Sequence, residues 1–125
     1  MKALIVEDND SMRFILKHLL EISCPAITHI KDCDSAEKAL GLLSDFKPDL
    51  LLTDLSLAEM DGIELTRHAI SYYPQLIVYI VTCHDLKQYE RYAHAAGAKG
   101  IYPKDEMKLL MNTIKESLST NTQSS

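Results

Sequence analysis

The run Leu50-Leu51-Leu52-Thr53, closed by Asp54, constrains this chain more than any other stretch. It is short, continuous and unalternating, as expected of a strand buried on both faces. A charge is costly inside such a strand, so Asp54 marks the point where the backbone leaves the core. The pattern recurs. Ala3-Leu4-Ile5-Val6 ends in Glu7-Asp8, Leu76-Ile77-Val78-Tyr79-Ile80-Val81 ends in Thr82, and Gly100-Ile101-Tyr102 is followed by Pro103-Lys104. A further run, Ala26 to Ile30, alternates partly and suits a sheet edge.

Helical signals lie between these runs. Asp10 or Ser11 is expected to cap a first helix with an apolar stripe of Met12, Ile15, Leu16, Leu19 and Leu20. Asp34-Ser35-Ala36-Glu37 reads as a capping box, with Ala36, Ala39, Leu40 and Leu43 as the buried face behind it. Ile63 to Tyr72 forms a third helix stopped by Pro74, and Asp85 to Ala96 a fourth closed by Gly97. Met107, Leu110, Met111, Ile114 and Leu118 mark the last, with its methionines as core filler. Strands alternating with helices imply an α/β fold: a doubly wound, five-stranded parallel sheet of order 2-1-3-4-5 with five helices and right-handed crossovers. Residues 1–118 form one domain, and 119–125 read as a polar, frayed tail.

Composition narrows the function classes. A length of 125 residues suits one core, and no apolar run approaches the roughly 18 residues of a membrane span. The N-terminal run is too short for a signal peptide, so a cytoplasmic location is expected. A net charge of −5 argues against nucleic-acid binding by this domain. Cys24, Cys33 and Cys83 lack metal or redox spacing and are expected to be free thiols. His18, His29, His68, His84 and His94 show no ligand spacing either, although His84, two residues past Thr82, is placed to overhang the mouth of a site there.

In the sheet order 2-1-3-4-5 the first and third strands are neighbours, and ligands bind outside their carboxyl ends. Glu7, Asp8 and Asp54 then meet. Two carboxylates about 4 Å apart repel by roughly 4 kcal/mol at an effective dielectric near 20, so protons or a cation must relieve the crowding. Mg²⁺ accepts such an oxygen set, and Lys104 completes the charge balance. A site holding Mg²⁺, an ammonium and the Thr82 hydroxyl suits phosphoryl groups, with Asp54 as the nucleophile of an aspartyl phosphate.

With those residues in that order, residues 2 to about 118 resemble the receiver domain of two-component response regulators. The resemblance rests on Glu7-Asp8, Asp54, Asp61-Gly62, Thr82, Tyr102 and Lys104. It implies that Glu7 or Asp8, Asp54 and the carbonyl of Ser56 bind Mg²⁺. It also implies that Asp54 takes a phosphoryl group from a histidine kinase or phosphotransfer protein, and that Thr82 and Tyr102 move together afterwards. Output is expected on the face formed by residues 85–96, 100–102 and 106–118, where Tyr89, Tyr92 and Lys99 would meet a second copy or a separate target. The chain departs from the family in three places. Ala58 stands where Pro is usual, Cys83 where Ala or Gly is usual, and Asp105 where a cis Pro usually follows the Lys.

Lys104-Asp105 is similar to regulators carrying a helix-turn-helix DNA-binding domain, so an N-terminal fragment of a transcriptional regulator stands beside a stand-alone receiver. No enzymatic activity is expected beyond Mg²⁺-dependent self-phosphorylation and self-dephosphorylation. A haloacid-dehalogenase-like phosphatase or a toprim nuclease would need an acid at Ser56. A flavin carrier would need a phosphate loop where Glu7-Asp8 stands. A pseudo-receiver would lack one of Asp54, Thr82 or Lys104.

Overall fold

The computed structural model describes the backbone of residues 1–124 and the side chains of residues 1–119. Five strands, β1 (Lys2–Val6), β2 (His29–Cys33), β3 (Leu50–Asp54), β4 (Ile77–Thr82) and β5 (Gly100–Pro103), form one parallel sheet in the order β2-β1-β3-β4-β5. Five helices alternate with them: α1 (Asp10–Ser23), α2 (Ala36–Phe46), α3 (Gly62–Tyr72), α4 (Leu86–Ala96) and α5 (Met107–Ser124). The sheet order and element count are those expected from the sequence.

Two cores flank the sheet. Leu4, Val6, Leu51, Val78 and Ile80 face α2, α3 and α4, while Ala3, Ile5, Leu50, Leu52, Tyr79 and Val81 face α1 and α5. Both faces of β3 and β4 are therefore buried, as their unbroken apolar runs require.

Several local expectations shift. β2 is His29–Cys33 rather than 26–30, because the register that pairs it with β1 sets Lys2 against His29 and Val6 against Cys33. As an edge strand it tolerates the polar sequence His-Ile-Lys-Asp-Cys, and Ile27 is buried before the strand begins. Asn9, not Asp10 or Ser11, caps α1 by accepting from the Met12 amide at 2.8 Å. Ser35, not Asp34, caps α2 through the Lys38 amide. Ile15 and Leu40 are 44% and 36% exposed, so they lie outside the buried stripes. Phe46 joins the buried face of α2 instead.

Gly97, at φ 108°, closes α4 in the left-handed conformation that favours glycine. α5 runs on to Ser124, past Leu118 where its apolar stripe ends; no Gly or Pro interrupts it. Of the tail expected at 119–125, the backbone to Ser124 continues α5, while the side chains beyond Ser119 lie outside the described residues. Cys24, Cys33 and Cys83 are free thiols. Among the described residues, no helix is long and apolar enough to cross a membrane.

Candidate functional site

The carboxyl ends of β1 and β3 bring the acids together. Glu7 follows β1, with its amide donating to the Cys33 carbonyl of β2 at 3.1 Å, and its side chain is fully buried. Oε2 of Glu7 accepts from the Asn9 amide at 3.2 Å. Oε1 lies 2.8 Å from Nζ of Lys104, an ion pair by distance that is not aligned as a hydrogen bond. Asp54 ends β3, is 4% exposed, and places Oδ2 3.4 Å from the same Nζ. Asp8 is exposed at the mouth. Glu7, Asp8 and Asp54 each offer a carboxylate oxygen, and these atoms lie within 4.8 Å of one another.

Lys104 reaches the acids because its amide donates to the Thr82 carbonyl at 2.9 Å, docking the end of β5 on β4. Its peptide bonds are trans, including the one to Asp105. Burial alone would lower the Lys104 pKa, but the contacts with Glu7 and Asp54 outweigh it and hold the ammonium above its ordinary value. The Asp8 carboxyl is shifted up as well, by partial burial first and then by the hydrogen bond and negative charge of Glu7.

The loop after Asp54 is held tightly. The Leu55 amide donates to the Val81 carbonyl at 2.8 Å and the Gly62 amide to the Leu55 carbonyl at 2.7 Å. Asp61 caps α3 through the Glu64 amide at 2.8 Å. A Cβ on Gly62 would stand 2.4 Å from the Asp54 carbonyl oxygen, so only glycine lets α3 start this close to the end of β3.

The remaining expected residues take up the following places. Thr82 is fully buried, and its hydroxyl accepts from the His84 amide at 2.9 Å. Ser56 is exposed, and its hydroxyl is 2.9 Å from Nε2 of His84, so the overhang expected of His84 takes the form of a bridge between the loops after β3 and β4. Thr82, Cys83, His84, Pro103, Lys104 and Asp105 line a cavity of about 380 Å³ beside the acids. Tyr102 is half-buried, with its ring 6.0 Å from that of Tyr79. On the expected output face, Tyr92 is 57% exposed and Lys99 is exposed. Tyr89 is only partly so, because it packs on the α4 core and tilts toward His84.

An all-oxygen donor set with no Cys or His suits a hard divalent cation. Among the described residues Lys104, paired with Glu7 and Asp54, is the one cation in ion-pair contact with the cluster, which leaves its three carboxylates short of two positive charges. The residues present, Glu7, Asp8 and Asp54, therefore fit a hard divalent cation such as Mg²⁺.

Residues 3–115 match the family model for the response regulator receiver domain. The chain belongs to the response regulator receiver family. Receiver domains among solved structures superpose over almost the whole chain. A CheY-like receiver domain protein from Methanospirillum hungatei JF-1 gives a TM-score of 0.87 at 24% identity, covering 99% of this chain and 98% of that one. The receiver domain of a DNA-binding response regulator from Colwellia psychrerythraea 34H gives 0.86 at 26%, covering 95% and 98%. The transcriptional regulatory protein DegU of Brevibacillus brevis is 28% identical over 92% of this chain and 49% of its own length. This receiver thus spans about half, or less, of the curated relatives it matches first. One of these, a protein-glutamate methylesterase of Syntrophus aciditrophicus, is covered over only 23% of its length.

Sequence reasoning missed Asn9 and Arg13, which brace the acid pair. Arg13 donates to the Glu7 carbonyl at 2.9 Å. A cation in the first turn of a helix runs against the helix dipole, and that was the available signal.

Proposed function

We propose that Asp54 is the phosphoacceptor of this receiver, and that Glu7, Asp8 and Asp54, with the carbonyl of Ser56, hold Mg²⁺. The observation that carries this reading is the Asp54 carboxylate 3.4 Å from Lys104, inside a cluster of three acids at the open end of the sheet. Bound Mg²⁺ would neutralise charge on the phosphoryl oxygens. The chain's own residues do the rest. Asp54 supplies the attacking carboxylate oxygen, while the Lys104 ammonium, now between Glu7 and Asp54, stabilises the charge that gathers on the phosphoryl group. The donor is a histidine kinase or phosphotransfer protein, or a small acyl phosphate in self-phosphorylation. Loss of the group by hydrolysis resets the switch.

Phosphorylation replaces a charge of −1 with one near −2. The new oxygens need a donor, and the Thr82 hydroxyl is the nearest along the sheet. Thr82 turns toward them, Tyr102 on the neighbouring strand moves inward, and the face of α4, β5 and α5 changes shape. A second copy or a downstream target reads that face through Tyr92 and Lys99. A receiver half of a transcriptional regulator is the second reading, favoured by the 49% coverage of the transcriptional regulatory protein DegU; the sequence of the whole gene decides it.

Amide NMR spectra recorded with Mg²⁺, with and without beryllofluoride, test the switch. Shifts should spread from Asp54 through Thr82 to Tyr102 and residues 85–118. Shifts confined to the loops around Asp54 would refute the proposed output face.

A further inference from the structure

Arg13 sits one turn into α1 and folds its guanidinium back over the loop that carries the acid pair. All three of its nitrogens are engaged. Nη1 donates to the Glu7 carbonyl at 2.9 Å, Nη2 meets Asp10 Oδ1 at 2.6 Å, and Nε meets Asp32 Oδ1 on β2 at 3.2 Å. The Glu7 carbonyl belongs to the planar peptide that joins Glu7 to Asp8, so pinning its oxygen fixes the direction in which Asp8 leaves the backbone. The Glu7 amide is already held by Cys33 and the Asn9 amide by the Glu7 carboxylate. Arg13 supplies the remaining fixed point between them and ties it to the edge strand through Asp32.

We propose that Arg13, oriented by Asp32, is a positioning residue that holds the Glu7–Asp8 peptide so that the Asp8 carboxylate is presented to the divalent cation. This rests on reading Glu7, Asp8 and Asp54 as the Mg²⁺ site. Among the described residues, Arg13 makes no ion pair or hydrogen bond with those carboxylates. It acts through a backbone carbonyl, and the planar fork of a guanidinium can hold three acceptors in fixed directions where an ammonium cannot.

The sign of the effect separates positioning from charge. As a bare positive charge near the cluster, Arg13 would repel Mg²⁺, and its removal would tighten binding. As a positioning residue its removal weakens binding, by roughly tenfold, the low end of the 10–100-fold that outer-shell partners of metal ligands contribute.

Calorimetric titration of the full chain with Mg²⁺ decides between them, with a thermal melt in EDTA to confirm folding of each variant. Arg13→Met should bind Mg²⁺ about tenfold more weakly than the parent. Arg13→Lys, which keeps the charge and loses the fork, should recover only part of that. Asp32→Asn should weaken binding in the same direction, and Lys17→Met, which breaks the other ion pair of Asp32 at 3.5 Å, should leave it unchanged. Parent-like or tighter binding by Arg13→Met overturns the proposal while leaving the Mg²⁺ site intact. Should Arg13→Met fail to fold, parent-like binding by Asp32→Asn overturns it instead. A parent chain that binds no Mg²⁺ overturns the site itself, and this proposal with it.

Discussion

Lys104 and Glu7 form the closer of the two ion pairs in the acid cluster, with Nζ 2.8 Å from Oε1 of a carboxylate that is wholly buried. The pair joins the ends of β1 and β5, two strands separated in the sheet by β3 and β4. It holds the ammonium beside Asp54 before any phosphoryl group arrives.

Removing Lys104 should therefore destabilise the protein. Lys104→Met leaves Glu7 buried without its partner, at a cost of about 3 kcal/mol, the low end for opening a buried pair, since Lys104 keeps 19% of its side chain exposed. Asp54→Asn should do the opposite in EDTA. It removes one of three crowded acids while Lys104 keeps its closer partner, and should raise Tm by about 4 °C, or roughly 1 kcal/mol. Saturating Mg²⁺ should shrink that gap, because the cation stabilises the parent more. Thermal melts of the three proteins check both signs; an Asp54→Asn variant that melts lower in EDTA contradicts the crowding argument.

Stability without metal should also depend on pH through Asp8. Its folded carboxyl is raised above the ordinary aspartate value, first by burial and then by Glu7, so the folded state holds the proton to higher pH than the unfolded state. This contribution makes the protein less stable as pH rises from the ordinary aspartate value through the raised one. Lys104 acts at the alkaline end. Its raised pKa contributes stability that is present below the ordinary lysine value and lost as pH rises through the folded one. Urea melts of the parent and Asp8→Asn in EDTA across the acid range should differ in slope, with the parent falling more steeply. Parallel slopes would remove Asp8 from the account.

Gly62 sets the approach of α3 to the site. Gly62→Ala puts a Cβ 2.4 Å from the Asp54 carbonyl, so backbone must move, at about 1–3 kcal/mol. Because the displaced group is the peptide of the phosphoacceptor, phosphorylation by acetyl phosphate should slow as well. Gly41, with open space around its Cβ, is the control: Gly41→Ala should be neutral or stabilising. Denaturant melts and phosphorylation rates of the two variants check this.

The buried strands β1, β3 and β4 were legible because a strand covered on both faces needs an unbroken apolar run, and Leu50-Leu51-Leu52 has few other places to go. The edge strand was not. β2 is hydrogen-bonded on one side only, its polar residues reach solvent, and the apolar Ile27 that marked the strand too early is a buried residue of the preceding loop. The acid cluster followed from sheet order, since Glu7 and Asp8 follow β1 and Asp54 closes the neighbouring β3. The bridge from Ser56 to His84 and the fork of Arg13 depend on how loops from different strands lie against one another, and periodicity carries no record of that.

Incubation with acetyl phosphate and Mg²⁺, read by intact mass, tests the central claim most directly. The parent chain should gain one phosphoryl group, Asp54→Asn should gain none, and EDTA should abolish the gain. Labelling that persists in Asp54→Asn would show that Asp54 is not the phosphoacceptor, and labelling undiminished by EDTA would show that its acid cluster works without a divalent cation.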